Sequence, residues 1–128
     1  PAFIAKRLVQ MLIQKGKSPR NTKVLVMGIT FKENVSDIRN SKVSDVYHEL
    51  KSYGLNVDVV DPYASSDELQ EEYGFGLTRT PVDNYDAVIL AVSHKEFLEL
   101  DIEALKSDKG VIFDVKSLFP KQIVDARL

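Results

Sequence analysis

Residues 28–41 form the stretch of the sequence best suited to hold a ligand. This stretch places a cation, Lys32, next to an aromatic ring, Phe31, and a second cation, Arg39, just before a predicted helix. Helix N-termini and cationic side chains favour phosphate oxygens, and an aromatic face accepts a base or a sugar ring. A phosphate-bearing ligand is therefore one interpretation. The other is a solvated charged loop with no specific partner, because most surface charges bind nothing in particular.

The same stretch departs from the glycine-rich fingerprint of dinucleotide-binding folds. Thr30 stands where the second glycine would let the backbone approach a pyrophosphate, and no third glycine follows. Asp61 lies farther along the chain than the acid that binds the ribose in such folds, and Pro62 makes it look like a turn residue. We therefore expect no NAD site of the usual kind within this chain.

Other polar residues are weaker candidates. Lys116 follows the last predicted strand, where it either binds an anion or extends its ammonium into solvent. His94 is expected to be a structural residue in the first turn of a helix, and His48 to be solvated on the polar side of another. Asp114 fits a hydrogen-bonded structural carboxylate. No cluster of histidines and acids has metal-ligand spacing, so the sequence predicts no metal site.

Composition limits the classes of protein that the chain can represent. The 128 residues, 44% of them apolar, match one ordinary domain, and the absence of cysteine excludes disulfides, thiolate metal sites and a cysteine nucleophile from this chain. The 17 basic residues against 19 acidic ones give no reason to expect nucleic acid or an anionic membrane as partner. With no apolar run near the roughly 20 residues of a membrane span and no secretory pattern, we expect a cytoplasmic protein.

Short apolar runs alternate with amphipathic segments along the chain. The runs read as strands buried on both faces, at residues 23–29, 57–60, 86–92 and 110–115. Helical spacing is predicted for residues 1–15, 43–53 and 65–73. This order predicts a Rossmann-like, doubly wound α/β domain with a mainly parallel sheet, helices on both faces and a preceding N-terminal helix. Ligands of such sheets bind beyond the carboxyl ends of the strands.

Several residues indicate where the predicted helices begin, end and pack. Asn40 or Ser41 is expected to cap the second helix, and Ser93 with Glu96 is typical of a capping box. The glycines at 16, 54 and 74 are expected to end the three main helices. The apolar face of the first helix comprises Ile4, Leu8, Val9, Leu12 and Ile13.

Four stretches of the sequence resemble a known family in the same order. GITFKENVSDIRNSKVSDV (residues 28–46) resembles the loop and helix that open the C-terminal domain of the UDP-glucose/GDP-mannose dehydrogenase family, whose form is Gly-x-x-(Phe/Tyr)-Lys followed by Asp-x-Arg-x-Ser. VVDPY (59–63), DAVILAVSHKEF (86–97) and IFDVKSLF (112–119) are similar to its later motifs. Residues 1–20 are similar to the end of its interdomain connecting helix and linker, which leaves residues 21–128 as a UDP-sugar-binding domain.

The resemblance implies the C-terminal part of an NAD-dependent UDP-sugar 6-dehydrogenase. The variants present are most like bacterial enzymes that oxidise UDP-N-acetylhexosamines to uronic acids for capsular or surface polysaccharide. The resemblance implies that Phe31 and Lys32 face the UDP-sugar and that Lys116 neutralises its diphosphate. It also implies that Arg39 reaches the phosphates of NAD, which is held mainly by another domain. UDP-glucose enzymes tend to have arginine at Lys116, and Ala126 stands where relatives often have glycine.

The resemblance also implies that this chain alone does not complete the reaction. The family's second oxidation passes through a thiohemiacetal on a cysteine, and no cysteine is present. We therefore expect a fragment of a longer, homodimeric enzyme that by itself binds UDP-sugar weakly and lacks dehydrogenase activity. Two alternatives stay open: a stand-alone α/β nucleotide-binding or signalling module, and a structural or oligomerisation domain.

Overall fold

The structure is a computed structural model that describes residues 2–16, 22–78, 84–114 and 126–127. Its strands are β1 (Lys23–Met27), β2 (Asn56–Val60), β3 (Tyr85–Leu90), β4 (Lys106–Asp114) and β5 (Ala126–Arg127). Its α-helices are α1 (Ala2–Gln14), α2 (Val43–Ser52), α3 (Ser66–Tyr73) and α4 (Ile102–Leu105), with a 3-10 helix at Lys95–Glu99.

The five strands form one parallel sheet in the order β2-β1-β3-β4-β5. The chain moves outward from β1 to β2, then crosses back over β1 to continue with β3 on its other side. Strand order therefore reverses between β1 and β3, which is where such a sheet opens a crevice at its carboxyl edge. The doubly wound, Rossmann-like class predicted from the sequence is confirmed.

Alternate residues of β1 show that both faces of the sheet are covered. Val24 and Val26 pack in the larger core with α1, α2 and α3, and Leu25 and Met27 pack in the smaller core with the 3-10 helix and α4. The unbroken apolar run in β1 follows from this double burial. Among the described residues the two layers are unequal, since one face carries α1, α2 and α3 and the other carries the 3-10 helix and the short α4.

The packing of α1 matches its predicted apolar face except at one end. Leu8 and Leu12 are fully buried, and each contributes about 2 kcal/mol of hydrophobic stabilisation. Ile13 was expected on the same face but is 57% exposed, whereas Ala5 and Met11 are buried. The buried stripe thus comprises Ala5, Leu8, Val9, Met11 and Leu12, and α1 packs against α2.

Two of the predicted helix starts are wrong. The N-cap of α2 is Lys42, whose side chain makes no capping hydrogen bond, so neither Asn40 nor Ser41 caps it. Asn40 instead has a left-handed backbone (φ 59°), which turns the chain before the helix. The capping box of Ser93 and Glu96 does not form either, because His94 is the N-cap of a 3-10 helix.

Among the other predicted boundaries, one is confirmed and one differs by a few residues. The predicted end of α3 is confirmed, since Gly74 is a left-handed C-cap. β4 begins at Lys106, four residues earlier than expected, and the apolar pattern gave no sign of α4 or β5.

Gly28 determines how closely the loops after β1 and β3 approach each other. Its φ is 98°, and a Cβ there would lie 2.6 Å from Val92 Cβ and 2.9 Å from Val92 N. Gly54 has a similar φ of 89°, but a Cβ there would meet nothing within 4 Å.

We expect Gly28→Ala to lower the free energy of unfolding by about 3 kcal/mol or more, because backbone strain and overpacking add. Gly54→Ala, the matched control, should cost only about 1–2 kcal/mol for the left-handed backbone. Urea denaturation measures both. Equal losses for the two variants would contradict the close approach at Gly28.

Candidate functional site

The candidate site lies at the carboxyl edge of the sheet, in the crevice between β1 and β3. Three described loops meet there, formed by residues 28–42 after β1, 61–65 after β2 and 91–94 after β3. Phe31, Lys32 and Arg39 all belong to the first of these loops. Lys116, the fourth predicted site residue, lies outside the described residues.

Asp61 shapes its own turn through one carboxylate oxygen. Its Oδ1 accepts hydrogen bonds from Tyr63 N at 2.8 Å and from Ala64 N at 3.0 Å. These are the contacts of an Asx-type turn, in which a side chain replaces a backbone acceptor. The prediction that Asp61 is a turn residue is therefore confirmed.

The other oxygen of Asp61 links its loop to the two neighbouring loops. Oδ2 accepts from Ile29 N at 2.8 Å, from Thr30 N at 3.3 Å and from His94 Nε2 at 2.8 Å. The side chains of Asp61 and His94 are both fully buried. Burying a carboxylate is costly unless it is hydrogen-bonded, and the five donors supply that compensation. This cluster ties the ends of β1, β2 and β3 together.

His94 has the structural role that was expected of it, although by a different route. It does not lie in the first turn of a capped helix but precedes a 3-10 helix, with its ring turned inward. The ring contacts Tyr63 and Phe97, with centroids 4.8 and 5.5 Å away. No sequence pattern paired His94 with Asp61, since the two lie 33 positions apart.

A second contact connects the loops after β2 and β3. Tyr63 Oη donates a 2.8 Å hydrogen bond to Glu96 Oε1. This bond lowers the pKa of the Glu96 carboxyl below its ordinary value and raises the pKa of the Tyr63 hydroxyl above its own. Glu96, predicted to cap a helix, instead accepts a hydrogen bond from the loop after β2 at the edge of the site.

The first loop presents its aromatic and its first cation to solvent. Phe31 is 54% exposed, and its backbone N–H donates to Asp37 O at 2.6 Å, which closes the loop. Lys32 is also exposed. Among the residues that the structure describes, the Lys32 ammonium has no hydrogen-bond or ion-pair partner. An unpaired cation beside an exposed ring is available to a ligand.

Arg39 differs from Lys32 because its charge is already paired. Its guanidinium donates from Nε to Asp37 Oδ1 and from the terminal Nη2 to Asp37 Oδ2, both at 3.1 Å. These bonds from Arg39 lower the pKa of Asp37, and the same pair raises the pKa of Arg39. The side chains are 79% and 43% exposed, so water screens the pair and it contributes little to stability.

An open cleft of about 440 Å³ lies next to Arg39 but has the wrong charge for a diphosphate. Residues 36–39 line one side, and Glu68, Glu71 and Glu72 of α3 line the other. With Asp37, four carboxylates face this space against one guanidinium. The cleft therefore repels phosphates, and the surface around Phe31 and Lys32 is the better candidate.

The described residues do not fit a dinucleotide site. In dinucleotide-binding folds an acid near the end of the second strand holds the ribose hydroxyls. Asp61 occupies that region, but its side chain is buried and both of its oxygens are occupied by donors from the protein. Thr30 adds a side chain where the fingerprint requires glycine. Among the described residues Asp61 thus has no free oxygen for a ribose, and the absence of an ordinary NAD site from this chain stays a prediction.

The described part of the chain has neither a metal-ligand cluster nor a candidate membrane span. Within it, no group of three or more His, Cys, Asp or Glu side chains is arranged to hold a metal ion. No helix there is long and apolar enough to span a membrane.

Comparisons of the sequence with known proteins agree on one family. The family model "UDP-glucose/GDP-mannose dehydrogenase family, UDP binding domain" matches residues 25–121. The chain is 37% identical to UDP-N-acetyl-D-glucosamine 6-dehydrogenase of Salmonella typhi, over 98% of this chain and 31% of that protein. It is 39% identical to Protein CapL of Staphylococcus aureus, over 91% of this chain and 28% of that protein. The chain thus spans about a third of the length of these relatives.

The fold has close counterparts among solved structures. The NDP-N-acetyl-D-galactosaminuronic acid dehydrogenase of Methanosarcina mazei Go1 aligns with a TM-score of 0.79 at 22% identity. The alignment covers 95% of this chain and 26% of that one. At this identity the likeness supports the architecture alone.

We expect Asp61→Asn to lower the free energy of unfolding by about 3 kcal/mol or more at neutral pH. An amide turns one acceptor into a donor and removes the charge, which leaves buried N–H groups without a partner. The exposed Asp67→Asn, in the first turn of α3, is the control and should cost no more than about 1 kcal/mol. Urea denaturation measures both, and a near-neutral Asp61→Asn would show that the cluster does not hold the loops.

Proposed function

Because the chain belongs to the UDP-glucose/GDP-mannose dehydrogenase family, as its UDP binding domain, we propose that it binds the nucleotide part of a UDP-sugar. The proposed site is the surface around Phe31 and Lys32 at the carboxyl edge of the sheet. The family match does not favour the alternatives of a stand-alone signalling module or a purely structural domain.

One observation carries this proposal: Lys32 is an exposed, unpaired cation, among the described residues, beside the half-exposed ring of Phe31. A diphosphate bears two negative charges that need local compensation, because the chain as a whole has a net charge of −2. Lys32 supplies a donor and a charge to the phosphates, and Phe31 supplies a face to the base or the sugar. The acidic cleft beside Arg39 supplies neither.

Two further residues complete the proposed roles. Lys116, two positions after the last residue of β4 in the sequence, neutralises the diphosphate, as the family resemblance implies. Arg39 leaves Asp37 to contact the phosphates of NAD, which is held mainly by another domain of the same enzyme. An exposed ion pair exchanges partners at little cost, and this supports a role for Arg39 that begins only when the cofactor is near.

For the whole protein we propose an NAD-dependent UDP-sugar 6-dehydrogenase. Its substrate is a UDP-N-acetylhexosamine, whose C6 alcohol is oxidised to a uronic acid for capsular or surface polysaccharide. Relatives named UDP-N-acetyl-D-glucosamine 6-dehydrogenase, at 37% and 38% identity, support this substrate class. NAD supplies the hydride acceptor, and this chain supplies binding and orientation of the nucleotide.

The remaining parts of the proposal concern the rest of the enzyme. Residues 1–20 are the end of a connecting helix and linker, and residues 21–128 are the UDP-sugar-binding domain. The full-length enzyme is a cytoplasmic homodimer, and the cysteine of its second oxidation belongs to another domain. The 128-residue chain alone has no dehydrogenase activity.

We expect Lys32→Ala to weaken binding of UDP-N-acetylglucosamine to this chain about ten-fold or more, since a hydrogen bond to a charged group is lost. Lys51→Ala is the matched control: it removes the same charge from the last turn of α2, away from the site, and should change affinity less than two-fold. Isothermal titration calorimetry measures both.

Equal affinity of Lys32→Ala and the unmodified chain would overturn the assigned site. No binding by the unmodified chain at millimolar UDP-N-acetylglucosamine would count against the proposed function itself. Reduction of NAD by this chain with a UDP-sugar would contradict the division of roles between domains.

A further inference from the structure

His94 is a buried histidine that the proposed function does not use as a ligand contact. It is fully buried in the loop after β3. Its ring nitrogens contact Thr30 and Asn34 of residues 28–42, here called the Lys32 loop, and Asp61 of the loop after β2. A buried polar ring with every hydrogen bond satisfied restricts the groups around it.

The hydrogen bonds fix the tautomer of His94. Asn34 N–H can only donate, so His94 Nδ1, at 2.8 Å, must accept and carries no proton. The proton of the neutral ring therefore sits on Nε2, which donates to Asp61 Oδ2 at 2.8 Å. Nε2 also lies 3.0 Å from Thr30 Oγ1. His94 thus accepts at one nitrogen and donates at the other.

These contacts hold the backbone on both sides of Lys32. On the N-terminal side, Thr30 Oγ1 donates to the carbonyl of Lys32 at 2.9 Å. The same hydroxyl lies against Nε2 of His94. On the C-terminal side, Asn34 has a left-handed backbone (φ 61°) that places its N–H on His94 Nδ1. Asn34 Oδ1 in turn accepts from Lys95 N at 2.9 Å. The exposed Lys32 therefore sits on a short span whose ends are anchored on buried groups.

We propose that His94 is the positioning residue of the UDP-sugar site, and that its unprotonated Nδ1 holds the Lys32 loop in the binding conformation through Asn34 N. This inference rests on the proposed function, because it assigns a role in binding the same nucleotide. His94 acts through the loop and does not touch the ligand. A loop ordered before the ligand arrives loses less conformational entropy on binding, so the anchor increases affinity.

Two substitutions separate the two nitrogens of His94. In His94→Asn the amide oxygen occupies the place of Nδ1 and accepts from Asn34 N, whereas the contact with Asp61 is lost. In His94→Gln the amide nitrogen occupies the place of Nε2 and donates to Asp61, whereas the acceptor for Asn34 is lost. Both variants leave a small cavity and both should be less stable than the unmodified chain.

We expect UDP-N-acetylglucosamine to bind His94→Asn within about three-fold of the unmodified chain, and His94→Gln about ten-fold more weakly, in calorimetry at a temperature where both are folded. The exposed His48→Gln is the control for the substitution itself and should leave affinity unchanged. Equal affinities of the two His94 variants, or weaker binding by His94→Asn, would overturn the proposal. Absence of binding by the unmodified chain would instead count against the proposed function.

Hydrogen exchange tests the same contact without any substitution, should either variant not fold. In the unmodified chain the Asn34 amide is expected to exchange at least about ten-fold more slowly than in an unstructured peptide, and more slowly still with UDP-N-acetylglucosamine bound. Exchange at the unstructured rate in both states would contradict an anchor at Nδ1.

Discussion

The buried carboxylate of Asp61 is the interaction on which the candidate site depends. Parallel strands bring their carboxyl ends to one edge, but nothing in the sheet itself fixes the loops that follow them. Asp61 accepts from backbone groups of the first and second loops and from His94 of the third. Since an unpaired buried charge costs several kcal/mol, none of these loops can move away without exposing or stranding the carboxylate. The loops therefore behave as one unit.

That unit presents an uneven distribution of charge. Lys32 is exposed and has no partner among the described residues, whereas Arg39 is paired with Asp37 beside the acidic surface of α3. A diphosphate is therefore attracted to one part of the edge and repelled from the other. This division agrees with the proposed role of the domain, which is to bind the nucleotide of a UDP-sugar.

Sequence patterns predicted the elements better than the contacts between them. β1 was predictable because it is buried on both faces, and the end of α3 because Gly74 adopts a left-handed backbone. The links from Asp61 to His94 and from Tyr63 to Glu96 were not, because they join residues about 33 positions apart through the strand order. Predictions from local sequence patterns were wrong where such long-range contacts determine the structure.

Mapping the ligand onto the backbone tests the central claim most directly, that a UDP-sugar binds at the edge organised by Asp61. A ¹⁵N-labelled chain titrated with UDP-N-acetylglucosamine reports every affected amide in one NMR experiment. We expect the largest changes in chemical shift at residues 28–34 and 91–95, and small changes along α3. Largest changes along α3 or at the amino edge of the sheet, or none at millimolar ligand, would contradict this claim.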